Sequence, residues 1–305
     1  MPSPYIKSGS YVGDGTDNRN ISVGFDITTE SVVILKGQTT EHCVFRTSAH
    51  VGDKTSFFVN AAADAADYIQ SFGSDGFQVG VAANTNGVTY HWTVFVDNGS
   101  GEVKVGSYTG NGADNRDITG VGFSPLFLMV KNDGANAICL RDSLDAGDAT
   151  HLLSGNSNVT DHIQALNADG FQVGTSSRVN TNASTYHYFA FKTSTMFKID
   201  TYTGNGSDNR NITGVGFQPN FLHIKRDGAS SAVWKTSTLT GDLAAFYSNI
   251  AAVADTIQNL DVDGFQVGTG ANVNTAANAY HYFAAKENLP AVAPSSVNNL
   301  MLLGA

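Results

Sequence analysis

The chain has 305 residues, of which 41% are hydrophobic and only 14% are charged, and its formal net charge is −10. A protein of this sign lacks the basic surface that nucleic acids and anionic membranes attract, so we set both partners aside. The first residues show no basic start followed by an apolar run, and no stretch approaches the roughly 20 apolar residues of a membrane span. We therefore expect a protein that is made in a cytosol and stays soluble.

A repeated sequence organises nearly the whole chain. Residues 75–80, Asp-Gly-Phe-Gln-Val-Gly, recur unchanged as residues 169–174 and 263–268. Three further anchors recur in the same order. The first begins at Tyr11, Tyr108 and Tyr202, the second at Asp17, Asp114 and Asp208, and the third at Tyr90, Tyr186 and Tyr280. A unit of about 94 residues is too long for a solenoid and typical of a β-sandwich, so each copy is expected to bury its own core.

The repeats predict β-sandwich domains at residues 1–100, 101–196 and 197–288, followed by an extended C-terminal arm at residues 289–305. The joins between the domains are short and are not Pro-rich or Gly/Ser-rich, so neighbouring domains are expected to touch. The first domain has three extra residues between Phe25 and Lys36, and it lacks the proline that the other copies carry there. This difference predicts a bulged loop and a contact that only the first copy makes.

Short strands punctuated by Gly, Asn and Asp characterise each copy. In the third domain, strands are predicted at residues 212–217, 221–225, 232–235, 257–260, 265–268 and 280–285. Gly264 ends a turn that needs a positive φ. Residues 61–69 and 243–255 have some helical character and are interpreted as loops or single turns. The predicted fold class is all-β, with three tandem β-sandwich domains of a jelly-roll-like kind.

The two cysteines are interpreted as buried free thiols. Cys43 and Cys139 lie 96 residues apart, and we assign them to equivalent positions of two copies, with Val233 in the third. A position that accepts Cys, Cys and Val is an apolar strand position, which favours free thiols over a disulfide.

A histidine recurs in the closing strand of each copy, as His91, His187 and His281. Histidine is the usual general base, but no nucleophile or carboxylate recurs with it, and in a strand it faces away from its two aromatic neighbours. We interpret it as lying on the outer face or bonding to an adjacent strand. The chain also lacks nucleophile-elbow, zinc-protease, phosphate-loop and Cys-x-x-Cys motifs, so no catalytic residue and no enzyme activity are predicted.

A loop rich in side-chain oxygens follows the first strand of each copy. Its candidate calcium ligands are Asp14 and Asp17, Asn111 and Asp114, and Asn205 and Asp208. Calcium prefers six to eight oxygen ligands, but the spacing does not match an EF-hand. The alternative is a turn in which these side chains bond to their own backbone and an arginine braces the loop.

The arm contains two prolines, which indicate an extended path. Its apolar residues are candidates for an assembly contact: Leu289, Val297, Leu300, Met301, Leu302 and Leu303. Such a segment either folds back on the third domain or docks on another chain, for example by adding a strand to its sheet.

The repeats resemble a domain of tailed-bacteriophage virion structural proteins, which are variously described as tail fibre, minor structural or head decoration proteins. The resemblance rests on the openings of the second and third copies, residues 108–131 and 202–225, on Asp-Gly-Phe-x-Val-Gly and on the closing Tyr-His-Tyr strand. The first copy, without its proline, fits least well. The resemblance implies a protein assembled in a bacterial cytoplasm and located in the virion, with other virion proteins as partners.

Three functions follow from these observations. The first is a non-enzymatic capsid decoration or head-spike subunit, for which three fused copies would suit a local three-fold position. The second is a tail-fibre or tail-tip adhesin for host attachment, which would bind surface carbohydrate through aromatic and Asn-rich loops. The third is a depolymerase, for which the chain offers no motif.

Overall fold

The computed structural model describes residues 2–59 and 62–291. The first unit has eight strands and one 3₁₀ turn: β1 (Tyr5–Val12), β2 (Arg19–Ser22), β3 (Ser31–Gly37), β4 (Val44–Thr47), β5 (Ser56–Phe57), β6 (Ile69–Gly73), β7 (Gly76–Val79), the turn Val81–Ala83 and β8 (Thr89–Val96). None of the helical segments in the described ranges is long and apolar enough to cross a membrane.

The second and third units repeat this strand order. The second contains β9 (Val103–Thr109), β10 (Arg116–Thr119), β11 (Phe127–Asn132), β12 (Cys139–Asp142), β13 (His151–Leu152), β14 (Ile163–Asn167), β15 (Gly170–Val173) and β16 (Thr185–Phe191). The third contains β17 (Phe197–Thr203), β18 (Arg210–Thr213), β19 (Phe221–Arg226), β20 (Val233–Thr236), β21 (Ala245–Phe246), β22 (Ile257–Asp261), β23 (Gly264–Val267) and β24 (Ala279–Ala285).

Each unit is a sandwich of two antiparallel sheets. In the first unit the order β1-β8-β3-β4-β5 faces the order β2-β7-β6, and the other units have the same arrangement. The Asp-Gly turn enters β7, β15 and β23 with a positive φ, as at Gly264 (φ 150°), where a side chain would also meet the carbonyl oxygen of Ile212. The prediction of three tandem β-sandwiches is confirmed.

Successive side chains of the closing strand point alternately into two different cores. On β8, Tyr90, Trp92 and Val94 point into the sandwich of the first unit. Phe95 points to the opposite face, where it packs with residues of all three units. The equivalent strands β16 and β24 divide their side chains in the same way. The expectation that each copy buries its own core is therefore incomplete, because a fourth core lies between the copies.

This central core is rich in phenylalanine. The Phe95 ring of the first unit lies 4.9 Å from Phe191 of the second unit and 5.5 Å from Phe221 of the third, between ring centroids. Phe127 and Phe283 join the second and third units at 4.5 Å. Burying both faces of a five-stranded sheet explains why all seven residues of β3 are buried.

The three units close into a ring. The backbone N–H of Asp64 donates to the carbonyl of Asp133 in the second unit at 2.8 Å. At the equivalent position, the third unit's Ala252 N–H donates to Gln38 of the first unit at 2.9 Å. The second unit meets the third through the side chain of Asn158, whose Oδ1 accepts from the N–H of Gly228 at 3.3 Å. The equivalent residue of each unit therefore bonds to the following unit, and the third unit bonds to the first.

Two expectations about the connections are confirmed. Neighbouring units touch, and the longer loop of the first unit makes a contact of its own. Glu30 in that loop forms an ion pair of 2.6 Å with Lys104 and accepts from the N–H of Val105 at 3.0 Å, both in the second unit. The described parts of residues 61–69 and 243–255 contain no helix; they make isolated β-bridges and include strand β21 and the first residue of β6.

The assignment of the cysteines to one position is wrong. Cys139 pairs with Val130 on β11, and the residue that pairs at the equivalent place in the first unit is Val44, opposite Leu35. Cys43 is therefore one residue out of register and faces the other way. Cys43 lies in the central core and Cys139 in the sandwich of the second unit, and both are free and buried.

The central core predicts a large cost for Phe95→Ala. If the outer face of the five-stranded sheet of the first unit is buried as in a protein core, this substitution lowers the unfolding free energy by about 3–5 kcal/mol, as large-to-small core substitutions do. Phe77→Ala in the sandwich core of the same unit is the matched control, and the two losses are expected to be similar. Chemical denaturation measures both. A loss below about 1 kcal/mol for Phe95→Ala alone would show that the units do not share an interior.

Candidate functional site

The recurring histidines lie at the three junctions between units. His91, His187 and His281 face away from their aromatic neighbours, as predicted, but each is buried or nearly so against another unit. Each approaches the loop after the fourth strand of the preceding unit. Each histidine therefore lies on the outer face of its own five-stranded sheet, as interpreted, but this face is not open to solvent because it is itself an interface with another unit.

At the junction of the first and second units, His187 stacks on His50 with 3.8 Å between ring centroids and 15° between planes. The N–H of Thr47 donates to His50 Nδ1 at 3.2 Å, which assigns the proton of a neutral ring to Nε2. Nε2 then donates to Ser56 Oγ at 3.0 Å, and Ser56 donates to Asp64 Oδ1 at 2.7 Å. The serine has no free base, so this buried network is not a nucleophilic triad.

The electrostatics of this junction favour neutral groups. Burial lowers the pKa of His187 to about 4 and, with the nearby His187, holds the pKa of His50 well below its usual value. Burial also raises the pKa of Asp64, against the hydrogen bond from Ser56. Asp64 Oδ2 has no hydrogen-bond partner among the described residues and lies 3.8 Å from His50 Nε2 and 4.0 Å from His187 Nε2.

The junction of the second and third units has different residues at the equivalent positions, because Asp145 and His151 stand where the first unit has His50 and Ser56. His151 Nε2 lies 2.6 Å from Asp145 Oδ1, and His281 Nδ1 lies 2.9 Å from Asp142 Oδ2. The backbone N–H of Asp142 donates to Asp145 Oδ2 at 2.9 Å, which joins the two pairs. Burial opposes protonation of His281, but the hydrogen bond and charge of Asp142 outweigh it and raise its pKa.

The third junction, between the third and first units, has lost the carboxylates. Leu239 and Ala245 stand where the second unit has Asp145 and His151. His91 Nδ1 lies 3.0 Å from Thr238 Oγ1. Burial, and then the charge of Lys235, lower the pKa of His91 to about 4. Sequence comparison of the copies shows the recurring histidine but not its partners, because those partners differ at every junction.

The oxygen-rich loops fold as local turns. Asp14 Oδ1 accepts from the N–H of Thr16 at 2.9 Å, and Arg19 Nε lies 3.4 Å from Asp14 Oδ2. The other loop residues bond in parallel: Asn111 to Ala113, Asn205 to Ser207, Asp17 to Asn18, Asp114 to Asn115 and Asp208 to Asn209. These bonds engage the oxygens with the protein's own N–H groups. A calcium ion at these loops stays a prediction.

The arm is described only at its start. Asn288 exchanges backbone hydrogen bonds of 2.8 and 3.0 Å with Ile6, so the chain returns to the edge strand of the first unit, and Leu289 is 45% exposed. The remaining candidate residues of the arm lie outside the described residues: Val297, Leu300, Met301, Leu302 and Leu303.

An open cleft recurs beside the fourth strand. In the third unit it has a volume of about 490 Å³ and is lined by Asn220, Lys235 and Leu260 among others. The first unit has a smaller cleft at the equivalent place, of about 250 Å³, lined by Arg46 and Phe72 among others. Asn220 Oδ1 is buried and has no hydrogen-bond partner among the described residues.

Comparison with known proteins adds one match. A family model described as a domain of unknown function (DUF7483) matches residues 192–298, which include all strands of the third unit. No curated protein matches the chain.

The His91 environment predicts a loss of stability in acid. Its folded pKa of about 4 lies below the ordinary value near 6.5, so the unfolded chain binds the proton more tightly and stability falls as the pH drops from about 6.5 to 4. His91→Gln removes this contribution. Between about pH 7 and pH 4, the unfolding free energy measured with denaturant should fall by on the order of 2–3 kcal/mol less in the variant than in the parent chain. Identical losses in both proteins would contradict the burial of a neutral His91.

Proposed function

We propose that this protein is a non-enzymatic structural subunit of a bacteriophage virion, displayed on the particle surface as a capsid decoration at local three-fold positions. The observation that carries the proposal is the closed ring of three similar units around a shared core. A head-to-tail contact that closes after three copies has the symmetry of a trimer. The resemblance of the repeats to virion structural domains is the reason for proposing that the particle is a bacteriophage virion.

Fusion of the copies suits such a role. A ring that is already assembled in one chain does not fall apart on dilution, and it presents three similar surfaces at fixed spacing. Each surface would meet one of three identical capsid subunits, so one chain gains three contacts for one loss of translational freedom. Other virion proteins are its proposed partners, and the virion, assembled in the host cytoplasm, is its proposed location.

The position of the protein on the particle tests this proposal. We expect electron cryomicroscopy of native particles to place one chain on each occupied local three-fold axis, with its own pseudo-axis along it, because only that placement gives three equivalent contacts. Truncation after residue 288 is the companion variant. If the arm is the anchor, the truncated chain leaves the particle while remaining folded. Density on the tail, or on axes of another symmetry, would contradict capsid decoration.

The recurring cleft favours one second candidate, a tail-tip adhesin that binds host carbohydrate. Clefts of a few hundred Å³ with a few polar groups are typical of small-ligand sites. The buried Asn220 Oδ1 could accept a hydrogen bond from a sugar hydroxyl.

A glycan array separates the two functions. An adhesin should bind a defined set of glycans, and Asn220→Ala, which removes the acceptor Oδ1 from the cleft, should reduce that binding at least tenfold. A substitution at the far end of the same unit, Ser207→Ala, is the control and should leave binding unchanged. If no glycan on the array binds, or if the Asn220 variant binds glycans as the parent does, the cleft is not a sugar-binding site.

A further inference from the structure

We propose that Asp145, His151 and His281 form a binding site for a divalent transition-metal ion of the Zn²⁺ type, at the junction of the second and third units. Two of the ligands come from the second unit and one from the third, so a bound ion would join the units. The inference concerns this junction alone and does not depend on the proposed role in a virion.

The three side chains offer a compact set of donor atoms. One donor from each lies within 4.8 Å of the other two. Zinc held by imidazole and carboxylate at about 2.1 Å sets its ligands about 3.4 Å apart, so Asp145 Oδ1 and His151 Nε2, which are 2.6 Å apart, would open by about 0.8 Å as the ion replaces the proton between them. The side chains of Asp145 and His151 are 3% and 0% exposed. The side chain of His281 is 12% exposed, which leaves an entry path and room for water as a fourth ligand.

The angle between the rings selects this junction over its counterpart. A metal ion binds an imidazole nitrogen in the plane of the ring, so two coordinating rings must have planes that cross at the ion. His151 and His281 have centroids 4.9 Å apart and planes inclined by 58°. His50 and His187 are nearly parallel at 3.8 Å, so one of them would have to turn before both could coordinate.

Supporting residues hold the ligands as metal sites require. Asp142 Oδ2 accepts from His281 Nδ1, which leaves Nε2 as the free donor; a carboxylate on the second nitrogen is the usual orienting partner of a zinc-bound histidine. Asp142 also donates its backbone N–H to Asp145. His151 Nε2 already faces Asp145 Oδ1 at 2.6 Å, so it is the nitrogen of this ring that an ion shared with Asp145 would take.

The donor set selects the class of ion. Two imidazoles and one carboxylate suit Zn²⁺, Co²⁺ and Ni²⁺, whereas Ca²⁺ and Mg²⁺ prefer oxygen ligands throughout. The ion would also neutralise Asp145 in a place of low exposure. The site is distinct from the oxygen-rich loops, where a calcium ion is the separate prediction.

The test uses the full chain, stripped of metal and titrated with Zn²⁺ near pH 7.5, where imidazole competes well with protons. Calorimetric titration should give one ion per chain, and saturating Zn²⁺ should raise the melting temperature by about 3 °C or more. His281→Gln and Asp145→Asn should each weaken binding at least tenfold. His91→Gln changes the same strand position at the junction without carboxylates, so it is the matched control and should bind as the parent does.

Three outcomes would overturn the proposal. The parent chain could fail to bind Zn²⁺, or His281→Gln could bind as tightly as His91→Gln. Binding that disappears with His187→Gln but survives His281→Gln would place the ion at the other junction. If His281→Gln does not fold, Asp142→Asn replaces it, and the loss of its orienting bond should weaken binding about 10–100-fold. The visible spectrum of bound Co²⁺ then distinguishes a four-coordinate site from loose surface binding.

Discussion

The structure depends on burying both faces of each five-stranded sheet. One face of β3, through Val33 and Leu35, closes the sandwich of its own unit, and the other, through Val32 and Ile34, lies in the central core. An antiparallel sheet usually leaves one face to water. Because here both faces are buried, a unit separated from the ring would expose the apolar side chains of the central core, so the three units form one folding entity.

Buried lysines hold the loops that join the ring. Lys36, Lys131 and Lys225 end the third strand of each unit, almost fully buried. Their ammonium groups donate to carbonyls of the following loop, as Lys225 does to Gly228 at 2.6 Å. Those loops carry the groups that bond to the preceding unit, such as the carbonyl of Asp133. Burial lowers the pKa of Lys131 and Lys225 to about 8, so the stabilising charge persists at neutral pH.

The sequence was sufficient for the units but not for their association. Repeated anchors and Asp-Gly turns predict each sandwich, because those signals are local. The central core could be predicted only in part. Phe95 shares a strand face with His91, and a face that mixes apolar and polar residues indicates solvent exposure unless its partners are known. Cys43 was misassigned by one residue: counted from Lys36, the equivalent of Cys139 is Val44, and a shift of one residue along a strand reverses the face. The partners of His187 and His281 come from other units, and the residue types at those positions differ from copy to copy.

Fusion explains why the three junctions differ. In a homotrimer one substitution appears at every interface, whereas in a single chain each junction can change alone. The first two junctions are spanned by a covalent connection and hold buried histidines and carboxylates, which are costly to desolvate. The junction between the third and first units has no such connection, and there Leu239 and Ala245 stand in place of Asp145 and His151 of the second unit. A backbone pairing between Ile6 and Asn288 adds to it. The junction between the third and first units, which has no connecting segment, therefore relies more on apolar contact and backbone hydrogen bonds. The two connected junctions can accommodate buried histidine and carboxylate groups.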